Sequence, residues 1–159
     1  MTAKRKAHPG LHHHQSVSYD TTKRLSFGQG SSEKYHQHAQ DLARNGKYQE
    51  AIDVLKEALL QKDAVEANYV KIMDSRSAIH CKMGRYKEAV SDAKCIISAE
   101  GQNEKGYLRA GKALLLDGRP EDALEVYRYG LNALAKNNPQ RECYDAYFKD
   151  LARLYQKPA

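Results

Sequence analysis

One six-residue phrase is written three times in this chain. It reads GKYQEA at 46–51, GRYKEA at 84–89 and GRPEDA at 118–123, so its glycines stand 38 and then 34 residues apart. A recurring period of this size marks a chain of stacked supersecondary units, each too small to bury its own apolar face. Every part of the phrase has a local task. Gly46, Gly84 and Gly118 each end a helix, because the left-handed residue that closes a helix costs glycine least. Ala51, Ala89 and Ala123 are small because two helices must cross there. Tyr48 and Tyr86 pack back across the turn, and Pro120 replaces them in the third copy, where a missing N–H does no harm in a first helical turn. The four extra residues of the longer interval amount to about one helical turn, placed within 61–71.

A period of 34 residues carrying this phrase resembles the tetratricopeptide repeat. Twelve residues before each alanine stand Ala39, Ser77 and Gly111; four after stand Leu55, Ala93 and Tyr127; seven after stand Ala58, Ile96 and Gly130. Most are small or apolar, as helix crossings require. Arg76 and His80 fit the repeat poorly, so the second unit reads as degenerate. The expected fold is all-α: a solenoid of three helix-turn-helix repeats over 33–139 and a capping helix over 140–156. A disordered basic tail over 1–32 precedes them. In the last segment Tyr144, Tyr147, Phe148, Leu151, Leu154 and Tyr155 follow helical spacing. Tyr144, Phe148 and Leu151 are expected to close the apolar end of the stack.

Charge is unevenly placed. The net charge is +6, and residues 1–30 hold Lys4, Arg5, Lys6, Lys23 and Arg24 against Asp20, so +4 of it lies in the tail. The folded part therefore gives no ground for nucleic-acid binding. The tail is too polar to offset ordering entropy. It holds a basophilic kinase pattern at Ser26 and a His run at His12 to His14, while Ser31 or Ser32 suits the N-cap of the first helix. No stretch is apolar enough to span a bilayer, and the N-terminus lacks the apolar region of a secretory signal.

Catalytic patterns are missing. There is no phosphate-binding glycine loop, no nucleophile elbow and no CxxC pair. Cys81, Cys95 and Cys143 read as reduced thiols in or near the core. No metal, cofactor or enzymatic activity is expected. A monomer in the nucleus or cytoplasm is expected.

Function is therefore sought on the concave surface that the first helix of each pair lines in this architecture. The register places Glu33, His36, Gln37, Gln40 and Arg44 there from unit one. Unit two supplies Lys71, Asp74, Ser75, Ala78 and Lys82, and unit three Lys105, Leu108, Arg109 and Lys112. The cations Arg44, Lys71, Lys82, Lys105, Arg109 and Lys112 are the expected partner-binding residues, forming a basic socket for a protein or acidic peptide. Chaperone-binding family members hold a terminal carboxylate with five polar side chains. Lys105 and Arg109 match two of these, whereas His36, Gln40 and Ser75 stand at the other three.

A narrower resemblance rests on Gly106-Tyr107-Leu108-Arg109-Ala110-Gly111-Lys112 and on Tyr129-Gly130-Leu131, within the stretch 104–131. It is similar to the N-terminal repeat domain of fungal F-box proteins with leucine-rich repeats. The resemblance implies a docking domain of a ubiquitin-ligase substrate receptor acting at chromatin and the replication machinery. Those proteins continue into an F-box, and this chain ends at Ala159, about where one would begin. A co-chaperone-like binder of acidic C-terminal peptides and a regulatory subunit of an enzyme are the rival expectations.

Overall fold

The computed structural model describes residues 31–155. The tail with Ser26 and its basic and His runs lies outside the described residues. Those residues form seven α-helices and no strand: α1 Ser32–Arg44, α2 Tyr48–Leu59, α3 Tyr69–Lys82, α4 Tyr86–Ala99, α5 Glu104–Leu116, α6 Pro120–Ala133 and α7 Arg141–Tyr155. Helices α1/α2, α3/α4 and α5/α6 are antiparallel pairs, each packed on its chain neighbour. First helices also stand side by side, α1 on α3 and α3 on α5. This is the tetratricopeptide solenoid.

The repeated phrase makes one turn three times. Gly46, Gly84 and Gly118 have φ of 75°, 73° and 75°. The N–H of the next residue then reaches back five positions: Lys47 to the Leu42 carbonyl at 2.9 Å, Arg85 to His80 at 2.8 Å and Arg119 to Leu114 at 2.9 Å. Each glycine N–H bonds three residues back, at 3.0 to 3.1 Å. Orphan carbonyls at the end of α1, α3 and α5 are thus satisfied mainly by backbone, and at α1 Asn45 Nδ2 adds a bond to the Asp41 carbonyl at 3.1 Å. This matters because Lys47, Arg85 and Arg119, which begin the partner helices, provide no side-chain cap.

Ala51, Ala89 and Ala123 are fully buried. Behind them the crossings are matched in volume. Ala39 and Leu55 belong to one buried cluster. In unit three the partner is the larger Tyr127, and the opposing residue shrinks to Gly111: a Cβ there would lie 2.1 Å from Tyr127 Cζ. Gly130 behaves alike, since a Cβ would lie 2.3 Å from the Tyr144 hydroxyl and 2.6 Å from Tyr107 Cγ. The apolar core therefore falls into two clusters, one over α1–α3 and one joining α5, α6 and α7.

Arg76 and His80, poor matches to the repeat, have a partner that the pattern does not mention. Asp92 of α4 is buried and takes Arg76 at 2.8 and 3.1 Å on one oxygen and His80 Nδ1 at 2.8 Å on the other. The second unit is thus held by a polar triad where its neighbours use apolar contacts. Ser77 adds a buried bond to the Ala89 carbonyl at 2.8 Å.

The long interval between the first two phrases contains a turn and a π-helical segment, Ala64–Asn68, inside the expected stretch. It serves the start of α1. Ser32, inside the 1–32 boundary of the tail and offered with Ser31 as an N-cap, is the first residue of α1 and is fully buried. Its N–H donates to Asp63 at 2.9 Å, and the Asn68 amide lies 2.8 Å from its hydroxyl. The Ser31 side chain makes no cap bond, and the bond to the Ser32 N–H comes from the connection between the first two pairs.

Two stability measurements check this packing. Gly111→Ala should destabilise the protein, because overpacking costs about 1–3 kcal/mol and the propensity gain is only about 1 kcal/mol. Adding Tyr127→Leu, which reproduces the pairing of unit one, should recover part of the loss in thermal melts. Asp92→Ala should cost about 3 kcal/mol, since it strands a largely buried guanidinium. Arg153→Ala, whose pair with Asp150 is exposed on both sides, should change denaturation midpoints little.

Candidate functional site

The concave face begins as a run of internal bonds. Glu33 faces Lys71 at 3.6 Å. His36 is buried and its Nε2 lies 2.7 Å from the Ser75 hydroxyl. Burial lowers the His36 pKa below its ordinary 6.5, with nearby Lys71 acting in the same direction and Glu33 against it. Next along the surface, Arg109 donates to Asp74 through Nε at 2.7 Å and Nη2 at 3.2 Å. This bidentate bond, more than any other cause, holds the guanidinium pKa above its usual value.

The six expected cations therefore do not make one socket. Arg44 pairs with Asp41 in its own helix at the exposed end of α1. Lys71 belongs to the α1–α3 contact. Arg109, expected to stand free, is committed to Asp74, because facing first helices bring the two within reach. Lys82, Lys105 and Lys112 have no salt bridge among the described residues, and Lys105 and Lys112 are exposed.

These remaining groups surround two adjoining pockets. One, of about 380 Å³, is lined by Glu104, Lys105, Leu108, Arg109 and Lys112 of α5, Asp74 of α3, Gln140, and Cys143, Tyr144 and Tyr147 of α7, so two carboxylates stand among its three cations. The other, of about 440 Å³, shares Arg109 and Lys112 and adds Lys82, Cys81, Tyr86 and Leu116. Burial pushes the Cys81 thiol pKa up, while Arg109 and Lys112 pull it down.

The α7 wall is the part that sequence reasoning missed. Tyr144 is buried and donates to the Tyr127 carbonyl at 2.7 Å, and Phe148 and Leu151 pack on the same cluster. Tyr147 is 41% exposed, while Leu154 and Tyr155 also face outward. The Tyr147 ring meets Tyr127 edge-on at 5.6 Å. Helical spacing placed all these side chains on one face, but that face is wider than the core it covers. Gln102 fixes where α7 begins: its side chain bonds Ala133 O at 2.7 Å and Ala135 N at 2.8 Å, and its carbonyl accepts from Asn138 at 2.8 Å.

No group of three His, Cys, Asp or Glu that could hold a metal stands among the described residues. Nor is any described helix long and apolar enough to cross a membrane.

Paired helices around a concave, pocketed face define a tetratricopeptide-type protein–protein interaction domain. Residues 60–143, more than half of the chain, match the family described as bacterial transcriptional activator domain, and the chain belongs to that family. The chain is also 38% identical over 72 residues to the F-box/TPR repeat protein pof3 of Schizosaccharomyces pombe, and 41% identical over 63 residues to protein DIA2 of Eremothecium gossypii. These matches cover 45% and 40% of this chain but only 12% and 9% of those relatives. Among solved structures, the first TPR of Spaghetti (RPAP3) bound to HSP90 peptide SRMEEVD superposes with a TM-score of 0.61 at 18% identity, covering 82% of this chain and 100% of that one.

The buried His36 carries a pH prediction. Its folded pKa is depressed, so below pH 6.5 the unfolded chain takes up the proton first. Stability should therefore fall as pH drops from 6.5 towards the folded value, and be constant in this respect below it. His36→Gln, which keeps a partner for Ser75, should flatten that part of a plot of melting temperature against pH.

Proposed function

We propose that the domain docks a partner protein through an internal acidic segment laid across α5, with Lys105, Lys112 and Lys82 as its charged contacts. The observation that carries this is a pocket bordered by lysines that make no salt bridge among the described residues, while the neighbouring cation, Arg109, is already paired. Unpaired surface cations around an apolar pocket complement an acidic ligand and speed its encounter. The likeness to the F-box/TPR repeat protein pof3 supports a docking domain of an F-box-type protein, and the resemblance read from the sequence extends this to a ubiquitin-ligase receptor acting at chromatin or the replication machinery.

A terminal carboxylate is the less favoured ligand, although the Spaghetti domain is similar and its peptide ends in EEVD. Of the five positions used by carboxylate-binding relatives, two here, His36 and Ser75, bond each other. A third, Arg109, has its fork filled by Asp74. A ligand carboxylate would have to displace that aspartate.

Binding of an acidic peptide, followed by fluorescence anisotropy, tests the reading. Lys112→Glu should weaken binding by about tenfold, or 1.4 kcal/mol, and Lys56→Glu, on the second helix of a pair, should not. Affinity should fall as salt shortens the screening length to about 8 Å. Amidating the peptide C-terminus should leave affinity unchanged. Binding that ignores Lys112 and salt would exclude the basic groove, and loss on amidation would establish the terminal-carboxylate alternative.

A further inference from the structure

Charge alone leaves most of the pocket between α5 and α7 unused. Its floor and wall are Leu108, Tyr144 and Tyr147, and the Tyr147 ring is held edge-on by the buried Tyr127. A cavity of about 380 Å³ lies in the range that binds small organic groups and accommodates a single large side chain. Lys105 and Lys112 stand one on each side of it along α5. Seven residues of helix separate them by about 10 Å. Leu108 falls between them on the same face.

The geometry points to a partner segment that inserts one large apolar side chain between Leu108 and Tyr147 and places a carboxylate on each side of it, against Lys105 and Lys112. This inference rests on the groove reading above and specifies its ligand. An extended peptide advances about 3.3–3.6 Å per residue. Two carboxylates that reach lysines about 10 Å apart therefore sit three residues apart, with the apolar residue at one of the two positions between them. Asp74 contributes by exclusion. Its bidentate bond to Arg109 places a carboxylate at the pocket edge already, so a third ligand acid at that edge meets repulsion rather than a free guanidinium.

Peptides acetylated and amidated at their ends provide the test. One series carries a single phenylalanine between two aspartates that are two, three or four residues apart. A second series replaces the phenylalanine by alanine. Binding to the full chain is measured by anisotropy. The three-residue spacing should bind best, and loss of phenylalanine should weaken it at least tenfold. Tyr147→Ser removes a half-exposed wall, with the fold checked by circular dichroism. It should weaken the phenylalanine peptides by a similar factor and leave the alanine peptides unchanged, a pattern that a general loss of stability would not produce. Equal binding with and without phenylalanine would overturn the anchor while the basic groove stood. Indifference to spacing would do the same to the two-lysine bridge. Failure of every acidic peptide to bind would remove both readings together.

Discussion

The whole structure depends on a backbone conformation that one residue type adopts cheaply. At Gly46, Gly84 and Gly118 the chain turns through positive φ, and the following N–H closes back on the helix just finished. A Cβ at these points would meet nothing in space, so glycine is needed for its dihedral freedom and not for room. Because the same turn recurs, each second helix leaves its partner in the same direction. Antiparallel pairs, their stacking and the alignment of α1, α3 and α5 along one surface all follow.

Packing then adapts to the residues present at each crossing. Glycine at 111 and 130 is needed for the opposite reason, since each lies under an aromatic ring. Unit three is accordingly built from tyrosines: Tyr107, Tyr127 and Tyr144 are all buried. Burial raises the pKa of each, keeping these phenols protonated. Unit two takes another route, with Asp92 gathering Arg76 and His80. What reads as degeneracy in a one-dimensional pattern is a compensated substitution in three dimensions.

Electrostatics decide which part of the concave face stays available. Where first helices approach closely, over α1 and α3, opposite charges and hydrogen-bonding groups pair with each other: Glu33 with Lys71 and His36 with Ser75. Beyond Arg109 the described residues hold no further helix pair. Instead α7 stands beside α5 and leaves a gap lined by Tyr147 and Cys143. The lysines bordering that gap make no salt bridge among the described residues. The site is thus a consequence of how α7 meets α5.

Much of this was legible from residue order. Helix ends are local events, so the glycine phrase, its spacing and the small residues around it determined an all-α stack of three pairs and a terminal helix. Amphipathic spacing also marked the residues of α7, because a buried face must repeat with the helical period. The pairing of charges was not legible. Arg109 lies 35 residues from Asp74, and Lys71 lies 38 from Glu33, and only stacked helices bring such groups within a few ångströms. The same holds for Ser32, whose cap is Asp63 from across a helix pair. By itself, the sequence determined which segments are helices and how they pair, through backbone freedom and side-chain volume. Tertiary structure alone decided which cations remain free and that α7 forms a wall of the groove, because both depend on distances between segments far apart in the chain.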